Sequence, residues 1–281
     1  MKIAGSCAAI LLATALSLHG PIAHADEIVV VAPERAVMPA AAGEEVTKQP
    51  LFGYLSRPDA SGKLPAVVLL HGCPGLGPHE IEAAAALKSW GYVALALDSL
   101  GGSGACTAIA PGVAAEVADS YAALRYLAGQ DFVDSGRIAV LGFSMGGIAV
   151  LADVERGKVE RTQAMHFAAA AAYYPWCGAN LGDMTVRTLI LIGERDDWTP
   201  AESCRKMVAH ESDGALVRGP VAGKPVSLTV YPGATHAFDS RYMPPTFMGH
   251  TLEYNPSVAH DAETRLRAFL AEALGEPSTT N

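Results

Sequence analysis

The stretch Gly142-Phe143-Ser144-Met145-Gly146-Gly147 sets one hydroxyl between glycines two residues away on either side. Serine is a weak nucleophile until a neighbouring base takes its proton. The spacing G-x-S-x-G suits a serine at the crest of a tight strand-to-helix turn, where flanking side chains would strike the neighbouring backbone. With 28 glycines in 281 residues such a pattern also arises by chance, so its setting decides its meaning. Here the apolar run from Arg137 to Leu141 reads as a buried strand, and Ile148 to Val154 reads as a helix. That turn would hold the Ser144 hydroxyl out at the top of a sheet. It would also aim the amide of Met145, at a helix N-terminus, into the same space.

A base and an acid must then come from other loops. Tyr231-Pro232-Gly233-Ala234-Thr235-His236 directly follows an apolar run, and His236 is the expected general base. It would take the serine proton and return it to the leaving group. In Gly193-Glu194-Arg195-Asp196-Asp197, a carboxylate can accept the Nδ1 proton of that histidine and fix its tautomer. Asp196 is the first choice and Asp197 the alternative. The order Ser, Asp, His along the chain is that of hydrolases built on a strand-turn-helix elbow.

The same chemistry needs donors for the oxyanion that forms when serine attacks a carbonyl. Leu70-His71-Gly72-Cys73-Pro74-Gly75 follows another apolar run. Pro74 has no N–H, so the amide of Cys73 is the expected partner of the Met145 amide. Gly72 is expected to let the backbone turn close to the elbow, and His71 to organise the loop through hydrogen bonds.

These loops need a scaffold. Leu51–Leu55 reads as an early edge strand. Ala66–Leu70, Tyr92–Leu97, Thr188–Ile192 and Val226–Tyr231 read as strands, as does His166–Tyr174 despite its alanine run. Helices are expected over His79–Trp90, around Val113 to Ala128, from Thr199 as N-cap, and around Val258 to Leu270. Strands alternating with helices imply an α/β fold: one domain, with a mostly parallel central sheet covered by helices on both faces. Ligands gather at the C-terminal ends of the strands in such sheets, and all four loops above sit there.

Half of the residues are hydrophobic and the net charge is −9, without a basic patch. Nucleic acid is therefore excluded as a partner class, and so are anionic membrane surfaces. Residues 1–25 read as a secretory signal peptide: Lys2, an apolar stretch from Cys7 to Leu18, and Ala23-His24-Ala25 as the cleavage site. Cleavage after Ala25 would deliver a periplasmic or secreted protein. No later run is long enough for a membrane span. Residues 26–50 carry a short β-like run from Ile28 to Val31 and are otherwise unassigned. The main domain is placed over residues 51–275, with a tail over 276–281. Four cysteines remain after export, and an even number suits disulfides. Cys177–Cys204 is the favoured pair, because the two lie beside neighbouring strands; Cys73–Cys106 follows by elimination, with a free thiol at Cys73 as the alternative. The scattered histidines and the lack of C-x-x-C do not support a metal site.

From about Leu51 to Leu274 the chain resembles the dienelactone hydrolase family of α/β-hydrolases. HGCPGLG, GFSMGG, YYPWCG, GERDDWTP and YPGATHAFD carry the resemblance. It implies Ser144, Asp196 and His236 as a triad, with oxyanion amides from Cys73 and Met145. Members that act on dienelactone have a cysteine nucleophile where this chain has Ser144. They also carry a glutamate in the turn occupied here by Gly72. Both departures favour a serine esterase-like mechanism.

Tyr173, Tyr174, Trp176, Trp198 and Phe238 lie near strand ends. Of these, Trp176, Trp198 and Phe238 are the expected substrate contacts, with Ser240–Asn255 as a flap. Such a pocket would suit a small or medium apolar acyl or alkyl group. The expected activity is hydrolysis of a small-molecule carboxylic ester or lactone through an acyl-enzyme, with no metal or organic cofactor. A peptidase of the same fold and a non-catalytic binding protein on the same scaffold are the alternatives.

Overall fold

The computed structural model describes residues 25–37, 47–101, 108–211 and 222–277. Most of the expected leader, residues 1–24, and Cys106 lie outside them. Eight strands form one sheet in the order β1-β2-β4-β3-β5-β6-β7-β8. They are β1 (Glu27–Val37), β2 (Thr47–Ser56), β3 (Leu64–Leu70), β4 (Val93–Leu97), β5 (Val133–Phe143), β6 (Ala169–Tyr173), β7 (Arg187–Gly193) and β8 (Val226–Tyr231). β1 and β2 run antiparallel, as do β2 and β4; every pairing from β4 through β8 is parallel. Every residue of β3, β4 and β6 is buried, which is why these segments read as unbroken apolar runs.

The N-terminal part of the sheet departs from expectation. Leu51–Leu55 is not an edge, because β1 covers the outer side of β2 through the register Glu27↔Leu55 to Val37↔Thr47. The sheet therefore begins at Glu27. The Asp26 carboxylate fixes this start, accepting from Tyr54 Oη at 2.9 Å and Lys88 Nζ at 2.7 Å. With Ile28 and Val30 exposed, β1 lacked the apolar density of a central strand.

The helices are α1 (Pro78–Ser89), α2 (Ile109–Ala128), α3 (Met145–Val154), α4 (Lys158–Arg161), α5 (Ala201–Val208) and α6 (Pro256–Leu274). The chain passes from β3 to β4 in one direction across the sheet, then back past β3 to β5. Right-handed crossovers therefore put α1 and α2 on opposite faces. α3 follows α2, against which it packs, and α6 shares a cleft with α1. The reversal between β4 and β5 opens a crevice at the C-terminal ends of β3 and β5, where such sheets bind ligands.

Candidate active site

The β5–α3 turn carries Ser144 at the crevice. Ser144 has φ 52° and ψ −111°, a strained conformation for a residue with a side chain. A Cβ on Gly142 would lie 2.2 Å from the Gly146 carbonyl oxygen, and one on Gly146 would lie 2.5 Å from that of Leu70. Neither position has room for a side chain, so the G-x-S-x-G spacing is steric in origin. Two backbone bonds hold the crest: Ser144 N–H donates to the Tyr173 carbonyl at 2.9 Å, and Gly146 N–H to that of His71 at 3.1 Å.

The loops after β7 and β8 are joined to each other before they reach Ser144. Glu194 N–H donates to the Tyr231 carbonyl and Arg195 N–H to that of Ala234, each at 2.9 Å. A Cβ on Gly193 would lie 2.4 Å from the Ala234 oxygen, so this approach also requires glycine. The result brings the three expected side chains together. His236 Nε2 lies 2.9 Å from Ser144 Oγ, and His236 Nδ1 lies 2.7 Å from Asp196 Oδ2. These partners assign the tautomer: Nδ1–H donates to the carboxylate, and Nε2 accepts from the serine hydroxyl. His236 and Asp196 are buried.

Asp196 Oδ1 accepts from the backbone N–H groups of Trp198 and Thr199, at 3.0 and 2.8 Å. Thr199 was expected to cap a helix; the structure puts Pro200 at that N-cap and turns Thr199 inward. Its hydroxyl lies 2.9 Å from Asp196 Oδ2, 3.0 Å from the Tyr174 carbonyl and 3.2 Å from His236 Nδ1. Sequence reasoning missed this contact. The available signal was Asp-x-x-Thr, a spacing at which an aspartate accepts from backbone N–H groups just downstream. Asp197 faces the other way. Its carboxylate accepts from Thr251 N–H and stands 3.3 Å from His250 Nδ1.

After β3, the N–H of Gly75, at φ 90°, donates to the Gly72 carbonyl at 3.0 Å and tightens the loop. Gly72 itself is not sterically compelled, since an added Cβ would make ordinary contacts, including 3.6 Å to Ser144 Cβ. A long side chain there would reach over the serine. Cys73 and Met145 pack against each other and Val113. As the first residue of α3, Met145 carries one of the amides that a helix leaves without an internal acceptor. His71 is buried, with Nδ1 2.7 Å from the Gly72 carbonyl oxygen. Burial lowers its pKa. Glu116 Oε1 lies 3.2 Å from the same nitrogen, but burial and the nearby Asp119 and Asp153 push the Glu116 pKa well above 4.5. Both shifts favour the uncharged forms, which weakens this contact as an ion pair.

The model of the "Dienelactone hydrolase family" matches residues 51–274. The chain belongs to the dienelactone hydrolase family. A curated relative from Bradyrhizobium sp. is named "Probable 2-oxo-3-(5-oxofuran-2-ylidene)propanoate lactonase". It is 26% identical over 210 residues, 68% of this chain and 80% of the relative. Two solved structures share the fold. Esterase 2 of Thermogutta terrifontis, phosphorylated by paraoxon, superposes with a TM-score of 0.65 at 17% identity, covering 90% of this chain and 96% of that one. A dienelactone hydrolase-like promiscuous phosphotriesterase from metagenomic libraries gives 0.61 at 21%, covering 88% and 99%.

In this dienelactone hydrolase family member the serine opens into a cavity of about 230 Å³. Pro74, Trp198, Met243 and Leu252 give it apolar walls, and Tyr174 lies beside His236. Of the three expected substrate contacts, Trp198 lines the cavity. Trp176 is 44% exposed and stands outside its lining. Phe238 is fully buried behind it, packed on Tyr173, Tyr174 and Tyr231. Tyr173 also faces away, its hydroxyl donating to the Ala262 carbonyl at 3.2 Å.

The segment 240–255 reaches over the cavity through Tyr242, Met243 and Leu252. It contains a small hairpin of β9 (Thr246–Phe247) and β10 (His250–Thr251). Met248 and Gly249, at φ 51° and 87°, make its turn, as two-residue hairpin loops require. Trp198 stacks on His250, with ring centroids 4.7 Å apart, and so ties the hairpin to the acid loop.

Cys177 and Cys204 form a disulfide. The expected Cys73–Cys106 pair falls outside the described residues. Among the described residues no helix is long and apolar enough to cross a membrane, and no cluster of His, Cys, Asp or Glu is arranged to hold a metal.

Proposed function

We propose that this protein is an exported serine hydrolase that cleaves small carboxylic esters or lactones through an acyl-enzyme on Ser144. The observation that carries this reading is the hydrogen-bonded line from Ser144 Oγ through His236 to Asp196, at 2.9 and 2.7 Å. As Ser144 Oγ attacks the substrate carbonyl, His236 Nε2 takes its proton. Asp196 holds Nδ1–H and stabilises the imidazolium. The amides of Cys73 and Met145 stabilise the tetrahedral oxyanion. Its collapse breaks the ester C–O bond, and the imidazolium gives its proton to the departing alkoxide. Water, deprotonated by His236, then attacks the acyl-enzyme, and Ser144 Oγ regains the proton as the acid leaves.

The apolar walls and modest volume of the cavity favour a small or medium acyl or alkyl group. The lactonase name of the Bradyrhizobium relative supports keeping a lactone, an internal ester, within the substrate class. The Thermogutta esterase is phosphorylated by paraoxon, and the same reagent is proposed to phosphorylate Ser144 here. Export is supported by the pattern of residues 1–25 and by the Cys177–Cys204 disulfide, a bond that suits an oxidising compartment.

The test is nitrophenyl-ester turnover and fluorophosphonate labelling by wild type and Ser144→Ala. The variant is expected to keep its fold and lose both. Ester turnover retained in folded Ser144→Ala would overturn the assignment. Cell fractionation with N-terminal sequencing tests export: the mature chain is expected to begin at Asp26.

A further inference from the structure

Asp239 lies three residues beyond His236 on the same loop and takes no part in the chemistry above. Both of its carboxylate oxygens are nevertheless engaged. Tyr174 Oη donates to Oδ1 at 2.8 Å, and His79 Nε2 lies 3.2 Å from Oδ2. Burial opposes a charge on His79, but the carboxylates of Asp239 and Glu80 outweigh it and raise its pKa to about 10. The pair therefore joins the start of α1 to the loop that carries His236. Tyr174 is the member that touches the imidazole. Its ring centroid lies 4.7 Å from that of His236, at 59° between planes. Burial first, and Asp239 next, push the Tyr174 pKa well above 10, so its hydroxyl stays a donor.

The backbone of Tyr174 is fixed as well. It holds φ 40°, its N–H donates to the Leu191 carbonyl at 2.7 Å, and its own carbonyl accepts from Thr199 Oγ1 at 3.0 Å. With the backbone pinned, the ring is held by its packing on Phe143, Tyr173 and Phe238 and by the partner of its hydroxyl. A buried phenol left without a partner is destabilised, which favours other positions of the ring.

We propose that Asp239 is a positioning residue for His236: by holding the Tyr174 hydroxyl, it keeps the Tyr174 ring against the imidazole, with Nε2 facing Ser144 Oγ. This rests on the serine-hydrolase reading. Misplacing a reacting group by an ångström lowers rates by about 10- to 100-fold without weakening substrate binding equally.

The experiment compares wild type, Tyr174→Phe, Asp239→Ala, which removes the acceptor of the Tyr174 hydroxyl, and the double variant. It measures kcat and KM on a nitrophenyl ester, the rate of fluorophosphonate labelling, and thermal melting. Each single variant is expected to lose about 10- to 100-fold in kcat and in labelling rate, with KM changed less than about threefold. The double variant should be no slower than the slower single, because both changes break one link. Wild-type kcat and labelling rate in Tyr174→Phe would overturn the proposal, even if the melting temperature fell, because a purely structural role predicts that pattern. Fully additive losses would overturn it too. If Asp239→Ala does not fold, Tyr174→Phe decides alone, since it keeps the ring. A wild type that resists labelling and shows no ester turnover would overturn the hydrolase reading and this proposal with it. A labelled wild type with equally fast variants overturns only the proposal.

Discussion

Thr199 Oγ1 stands 2.9 Å from Asp196 Oδ2, the same oxygen that faces His236 Nδ1 at 2.7 Å. The Asp196 carboxylate thus has one oxygen shared between Thr199 and His236, and the other saturated by two backbone N–H groups. Replacing Thr199 with valine keeps the side-chain shape and removes the hydroxyl. The expected outcome is a loss of about 1–3 kcal/mol in urea unfolding, because the single hydroxyl proton serves the Tyr174 carbonyl or Asp196, and that buried acceptor loses its donor. A fall in kcat should accompany it. Unchanged stability together with unchanged turnover would show the contact to be idle.

The two neighbouring aspartates should separate cleanly. Asp196→Asn leaves the shape of the site but removes the acceptor that fixes the His236 tautomer. The expected loss in kcat is about 10⁴-fold in a protein that still folds. Asp197 instead reaches Thr251 and His250 in the hairpin over the cavity. Asp197→Asn should therefore raise KM with little change in kcat. The reverse pattern would move the acid to Asp197.

Glu116 gives a pH dependence with a definite sign. Its folded-state pKa lies well above the ordinary 4.5, so the native state holds the proton more tightly than the unfolded chain does. Its contribution to stability is complete below about pH 4.5 and is lost as pH rises through the folded-state pKa. Glu116→Gln removes this loss. The variant should melt higher than wild type at pH 8, with the gap closing towards pH 4.5. A variant less stable at pH 8 would mean that the ionised carboxylate has a partner.

The Cys177–Cys204 bridge closes a loop with a sequence separation of 27. In the chain-entropy picture such a loop contributes about 3–4 kcal/mol. Replacing both cysteines with serine should lower unfolding stability by an amount of that order. Nitrophenyl-ester kcat should stay near the wild-type value, because neither cysteine lines the cavity. A loss of turnover without a loss of stability would tie the bridge to the site instead.

Local patterns carried much of this molecule. The steric need for glycine at 142 and 146 is a property of one turn, so it is visible as a spacing. β3, β4, β6 and β7 are buried on both faces, so they are visible as apolar runs. β1 was not legible as a strand of the sheet, because its pairing with β2 and not its own hydrophobicity holds it there. Trp176 and Trp198 are alike in type and in nearness to a strand end, yet only Trp198 turns into the cavity.

The amino-acid sequence by itself determined the elbow, the alternation of strands and helices, and the residue types available at the crevice. Tertiary structure decided which of those residues meet. Asp196 and Asp197 are adjacent along the chain but point to opposite partners, and the bonds from Glu194 and Arg195 to the loop after β8 set which one faces His236. Tyr174 and Asp239 are 65 residues apart and join only because the ends of β6 and β8 lie at the same edge of the sheet. The physical reason is range: steric and hydrophobic patterns act over a few residues and leave a periodic trace, whereas a hydrogen bond between distant loops leaves none until the sheet has set their positions.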